Sequence, residues 1–167
     1  ENNCNLLDKF IESADLKLIK ESVSKVNVSQ INCNNSLGLD LLSAIDSLNK
    51  SNIEDAFNSY KKLCSLGVKN SCVFLGNMYI DNNLPSSMNS FDKTDRESFA
   101  LKSYSKSVDR GNLEAMLLFA DLLLENNINK EKANSLLDKA IARGQIDGLY
   151  IKSKHKFRDF FSNSAAC

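Results

Sequence analysis

The chain has 167 residues, with 21 Lys+Arg against 21 Asp+Glu, a formal net charge of zero and 43% apolar residues. That length suits one domain with a real core or one short solenoid, and the charge balance offers nothing to a nucleic-acid backbone. No window approaches 18 uninterrupted apolar residues, so no membrane span is expected, and the single proline leaves helices free to run. No charged start followed by an apolar run marks a leader; with Glu1 in first place, the expectation is a signal peptide already removed.

In chain order, Leu6, Leu7, Phe10 and Ile11, then Leu16, Ile19, Val23 and Val26, recur at helical spacing. They predict one or two amphipathic capping helices within residues 1–35. Leu37–Leu48 follows as a further helix, with Ala44 set 12 residues before Ala56. From there the chain repeats itself. Ala56, Tyr60, Cys64, Gly67, Ser71, Leu75, Gly76 and Tyr79 stand at offsets 0, 4, 8, 11, 15, 19, 20 and 23. Ala100, Tyr104, Val108, Gly111, Ala115, Phe119, Ala120 and Leu123 keep the same offsets. Ala133, Leu137, Ile141, Gly144 and Gly148 open a third copy, which decays at Lys152, Ser153 and Lys156.

The first offsets lay one stripe along a helix, the glycine at offset 11 suits a left-handed cap, and the small residue at offset 20 admits a neighbouring helix. Ser51-Asn52-Ile53-Glu54 and Thr94-Asp95-Arg96-Glu97 fit capping boxes just before the repeated alanines. The expected architecture is all-α: a helix–turn–helix repeat solenoid of about three repeats over residues 36–151. Capping helices are expected over 1–35 and 152–167, because polar residues cannot continue an apolar stack. Phe157, Phe160 and Phe161 are expected to fold back and seal the end.

The stretch Ala56-Phe-Asn-Ser-Tyr60-Lys-Lys-Leu-Cys64-Ser-Leu-Gly67, continued by Ser71-Cys72-Val-Phe-Leu75-Gly76-Asn-Met-Tyr79, resembles the Sel-one-like repeat, a relative of the tetratricopeptide repeat. The resemblance covers residues from about 37 to 157, weakly at both ends. The interval of 44 from Ala56 to Ala100 implies an insertion around Asn82–Asp92, and the interval of 33 from Ala100 to Ala133 a shortened connection at Asn126–Asn129. The resemblance implies a right-handed superhelix that serves as a protein-interaction scaffold. Members act in signalling, secretion, envelope assembly and, in bacteria, host contact or neutralisation of toxins.

The same resemblance implies a disulfide between Cys64 and Cys72, since a bacterial cysteine-rich branch staples its repeats at this C-x7-C spacing. Neighbouring helices near a short turn permit it, and two buried free thiols are the other reading. The second copy has Val108 and Met116 at those offsets. Cys4 and Cys33 flank the N-terminal region and are expected to form a second bridge, leaving Cys167 over. Five cysteines favour an oxidising compartment, periplasm or outside the cell, over a cytosolic protein with five thiols. The sequons Asn27-Val-Ser29 and Asn34-Asn-Ser36 are of a kind that chance supplies.

Catalytic signals are missing from the sequence. The one histidine, His155, stands in the basic run Lys152–Arg158 and reads as a surface residue with no carboxylate to orient it. No four-ligand metal spacing, phosphate loop or nucleophile elbow occurs, so no metal, no cofactor and no enzymatic activity are expected. At offset 18, where the family carries a polar residue, the chain has Phe74, Leu118 and Ile151. Equal offsets align in a stack, so these predict an apolar stripe in a concave groove, with Asn77, Asp121 and Lys154 at offset 21 as polar flanks. The other course is that the N-terminal helices fold over the stripe and extend the core. The insertion Asp81–Asp95, with Leu84, Met88 and Phe91, is a second candidate surface or a plain linker. The expected function is therefore non-catalytic binding of a partner protein by a monomeric bacterial envelope or secreted protein. The alternatives are an immunity protein that plugs a toxin's active site and, more distantly, a cell-wall or drug hydrolase.

Overall fold

The computed structural model describes residues 3–14, 16–25, 27–33 and 36–164, which form nine α-helices and two short 3-10 turns, with no strand among them. The chain is all-α, as its periodicity predicts. It divides into two compact units, Glu1–Ser103 and Tyr104–Cys167.

In the first unit, α1 (Asn3–Ser13) and α2 (Leu16–Lys25) both pack on α3 (Leu37–Asn49), which packs on α4 (Ile53–Leu66), which packs on α5 (Ser71–Ile80). Ile11, Ile19 and Val23 of the N-terminal apolar pattern are buried. Val26 lies outside the described residues, and Leu6 is exposed. Asp8 fixes α1 to the start of α3: one carboxylate oxygen accepts from the Ser36 hydroxyl at 2.7 Å and from the Gly38 amide at 2.8 Å. The approach is close enough that a Cβ on Gly38 would lie 2.7 Å from that same oxygen and 3.3 Å from the Asp8 backbone. Cys4 and Cys33 are disulfide-bonded with Cα atoms 5.5 Å apart, and Cys64 of α4 is bonded to Cys72 of α5 with Cα atoms 4.6 Å apart. Cys167 lies outside the described residues.

α6 (Lys93–Asp109) contains the boundary between the units. In the second unit α7 (Leu113–Glu125) packs on α8 (Lys130–Ile141), and α9 (Asp147–Ser164) packs on both. The core takes Phe119 and Leu123 from α7, Leu136 and Leu137 from α8, and Ile151 from α9. α9 runs unbroken through position 152, where the sequence reading sets a boundary between the repeats and a terminal helix.

The repeat is legible in burial and in backbone. Ala56, Ala100 and Ala133 are each fully buried, as are Tyr60 and Leu137 at the next position. The glycines at offset 11 all take left-handed backbone, with φ of 86° at Gly67, 78° at Gly111 and 91° at Gly144. A side chain there would be strained, which is why each copy ends its first helix on glycine. Elsewhere among the described residues asparagine does the same job: Asn70, Asn82, Asn127 and Asn129 all have positive φ, joined only by Ser51 among non-glycines.

The helix starts differ from the two predicted capping boxes. Ser51 takes φ 62° and ends α3, with the Asn52 amide donating back to the Ser47 carbonyl at 2.8 Å. Asn52, not Ser51, is thus the N-cap of α4. At α6 the Asp92 carboxylate accepts from the Asp95 amide at 2.8 Å, so the helix opens before Thr94.

Candidate functional site

None of the apolar residues assigned to a partner surface by the sequence is exposed. Phe74 is 3% exposed; its ring stacks on Tyr60 with centroids 5.0 Å apart, and the Lys20 ammonium of α2 lies over its face at 5.6 Å. An N-terminal helix therefore covers Phe74, the course in which the stripe extends the core. Ile151 is 9% exposed and Leu118 is half-buried. Asn77 is half-buried beside Phe74, where both border a cavity of about 230 Å3 in the first unit.

The insertion is packed down as well. Leu84 is buried, while Met88 and Phe91 are half-buried. Phe91 stacks on Phe99 at 5.2 Å and Phe99 on Tyr79 at 5.2 Å, with Phe57 meeting Tyr79 edge-on at 5.6 Å. Four rings in series hold this connection against the helices it joins.

In the second unit, Asp121 and Lys154, both at offset 21 of consecutive copies, stand 3.1 Å apart. Lys154 also reaches Glu125 at 2.8 Å. Partial burial works against the Lys154 charge, but the hydrogen bonds it donates to Glu125 and Asp121 outweigh that and hold the ammonium above the ordinary lysine range. His155 corrects the sequence reading: it is 4% exposed, and its Nε2 lies 2.5 Å from an Asp121 oxygen. The carboxylate orienter is there, supplied from α7 at a distance of 34 residues. Arg158 donates to the Leu124 carbonyl, and Lys130 donates to Asp159 at 2.9 Å, which holds that carboxyl below the usual carboxylate range. The basic run is thus largely spent within the unit, and its histidine is a buried contact between α7 and α9.

The feature that sequence reasoning missed is the outer face of α9. Ile146, Leu149, Tyr150, Phe157, Phe160 and Phe161 are between 55% and 74% exposed. At 100° per residue the five on the helix fall within one third of its circumference, opposite Gly148, Ile151 and His155, which face α7 and α8; Ile146 directly precedes the helix. Phe157, Phe160 and Phe161 therefore do not fold back to seal the end; Phe160 and Phe161 meet edge-on at 5.6 Å in the open. The signal was the i, i+3, i+4 spacing of these six residues, masked by the polar residues at the repeat offsets between them. Two exposed apolar clusters on one side of a helix, divided by Ser153 and Lys154, need an explanation, because isolated apolar side chains are common on surfaces and clustered ones are not.

Among the described residues no group of three or more His, Cys, Asp and Glu is arranged to hold a metal ion, and no helix is long and apolar enough to cross a membrane. No protein-family model, no curated protein and no solved structure matches this chain.

Proposed function

We propose that the chain is a non-catalytic protein-interaction module whose docking surface is the apolar face of α9. The observation that carries this reading is the exposed row from Ile146 to Phe161, about 22 Å long at helical rise. Its occupant is the apolar face of an α-helix from a partner protein. Such a helix matches the spacing of the row and continues the packing by which α7, α8 and α9 cover one another. Lys156 borders the row, is exposed and forms no ion pair among the described residues, so the partner's helix carries an acidic edge.

The Sel-one-like assignment and the solenoid belong to the same proposal. They are supported by the left-handed glycines at equal offsets and by the contact of Asp121 with Lys154, one repeat apart. Two disulfides support an oxidising compartment, the periplasm or the outside of the cell.

The test places a photo-crosslinking phenylalanine analogue at position 157 and exposes the protein to envelope and secreted fractions of its source. The expected result is a crosslink to a helix of one partner, whose purified form binds the wild type and loses at least tenfold in affinity to Leu149→Ser/Phe157→Ser/Phe160→Ser. The partner's identity then separates an assembly adaptor from an immunity protein. Crosslinks to a second copy alone, to lipid alone or to nothing overturn the reading.

A further inference from the structure

The two Asn-X-Ser triplets of the chain, Asn27-Val28-Ser29 and Asn34-Asn35-Ser36, meet different fates in the fold. The first forms the 3-10 turn Val28–Gln30 with Asn27 as its N-cap, and the turn packs on α3. Val28 anchors it, with its side chain buried. Asn27 and Ser29, on either side of that anchor, are both exposed. The Ser29 hydroxyl donates to the Asn27 side-chain oxygen at 2.7 Å. The Asn27 side chain does not cap the turn, and its amide nitrogen makes no hydrogen bond among the described residues.

In the second triplet the hydroxyl is already committed. Ser36 is 3% exposed and is the N-cap of α3. Its hydroxyl donates to the Asp8 carboxylate at 2.7 Å and accepts from the Leu39 amide at 3.0 Å. Asn34 lies outside the described residues. An asparagine followed two residues later by serine or threonine is the acceptor signal for N-linked glycans, which are bulky, solubilising and confined to surfaces. The signal consists of the amide that is modified and the hydroxyl that is recognised with it, so a triplet is usable where both face outward. Only the first meets that condition at its serine.

We propose that Asn27 is an N-glycosylation site and that Asn34 is not. The donor is an oligosaccharide carried on a polyprenyl pyrophosphate. The Asn27 side-chain nitrogen attacks the anomeric carbon, forming the C–N bond as the C–O bond to pyrophosphate breaks. The nitrogen gives one proton to a base of the transferase, and polyprenyl pyrophosphate leaves. The glycan stands on the solvent side of the turn while Val28 keeps its place against α3, so the fold admits it unchanged. The inference rests on the oxidising-compartment part of the proposed function, because proteins that pass through such compartments acquire both disulfides and this linkage. It is independent of the α9 face, which belongs to the other unit.

The test isolates the full chain from the envelope and secreted fractions of its source. Free thiols are alkylated first, and the protein is then reduced and digested with trypsin. Residues 26–50 form one tryptic peptide that holds both triplets. Electron-transfer fragmentation, which keeps sugars in place, is expected to find a glycan on Asn27 and none on Asn34. Asn27→Gln and Ser29→Ala, both at exposed positions and made in the same source, are each expected to lose the whole mass increment with unchanged helicity. Ser29→Thr is expected to keep it. A glycan on Asn34, alone or with Asn27, overturns the assignment, and so does one that survives Ser29→Ala. An unmodified Asn27 in a chain with both disulfides closed overturns the site alone. An unmodified Asn27 in a chain whose cysteines were alkylated before reduction overturns the compartment with it.

Discussion

The two units solve the same problem, holding α-helices side by side, with different chemistry. The first is closed by covalent bonds and stacked rings: two disulfides, the Phe57–Tyr79–Phe99–Phe91 series and the Tyr60–Phe74 pair. Its central carboxylate, Asp8, is held by neutral donors at the start of a helix. The second has no disulfide among its described residues and is joined by charge, with Asp121 between Lys154 and His155, Lys152 on Asp138 and Lys130 on Asp159. It also leaves a helix face bare. Helices of similar pattern can thus be fastened by crosslinks that ignore the solvent or by ion pairs that answer to it, and the fastening, not the repeat, decides how each unit responds to its surroundings.

The largest effect that would break this contrast is reduction. Opening the two bridges is expected to destabilise the first unit by about 3 kcal/mol per bridge, by the loop-closure estimate, and to leave the second unaffected. Amide exchange under reductant reads this directly: α4 and α5 accelerate, α8 does not. Equal acceleration in both would mean that the units open as one.

Next comes the central carboxylate of each unit. Asp121→Ala is expected to cost about 2 kcal/mol, because it strands the buried His155 and removes both contacts of Lys154 with the Asp121 oxygens. Asp8→Ala is expected to cost about 1 kcal/mol, leaving a hydroxyl and an amide to find water. The sharper reading is the salt dependence. Raising ionic strength should shrink the first penalty and leave the second nearly unchanged, as followed by urea melts at two salt concentrations.

Two glycines supply a matched steric pair. Gly38→Ala is expected to destabilise by about 1–3 kcal/mol, since the new methyl meets a hydrogen-bonded carboxylate and the Asp8 backbone. Gly148→Ala meets side-chain atoms alone, Ile141 Cγ1 at 2.7 Å and Cδ1 at 3.2 Å with Leu117 Cδ2 at 3.4 Å, and with no backbone in the way its expected cost is the smaller, about 1 kcal/mol. Thermal melts of the two variants would settle the order.

The smallest effect is on pH. Tyr60 and Lys154 both ionise at higher pH in the folded chain than their ordinary values of 10.0 and 10.5. The stability they contribute is complete below those values and is lost as pH rises through the folded ones. Asp159 is shifted down by Lys130, so its contribution is present above its ordinary value of 3.8 and is lost as pH falls through the folded value. Denaturant midpoints across pH should therefore fall at both extremes. Tyr60→Phe is expected to flatten the alkaline arm, and Lys130→Met the acid one.

Much of this was legible in the sequence, and what was not has a physical cause. The repeat offsets placed the helices of residues 37–141 and the left-handed glycines, because turn geometry and apolar period are local. They also aligned Asp121 with Lys154, because equal offsets meet when copies stack. The role of His155 was hidden, since its partner is 34 residues away and one position out of the repeat register. Phe74 had two readings, bare or covered, and Phe157 was expected to be covered; both turn on one fact that the sequence does not hold. An apolar residue at a surface phase is covered or bare according to what packs there, and Lys20 of α2 covers Phe74 while nothing among the described residues covers Phe157.

Asparagine at Asn82, Asn127 and Asn129 gives the connections of this chain an editable character. Each position demands a backbone that glycine adopts without strain and that alanine resists. Replacing any of the three by glycine should leave the helices in register, whereas alanine should strain the joint. Four of the asparagines, Asn70 with these three, thus mark corners of the chain. Each such corner is therefore open to glycine and closed to alanine, whatever the helices on either side carry.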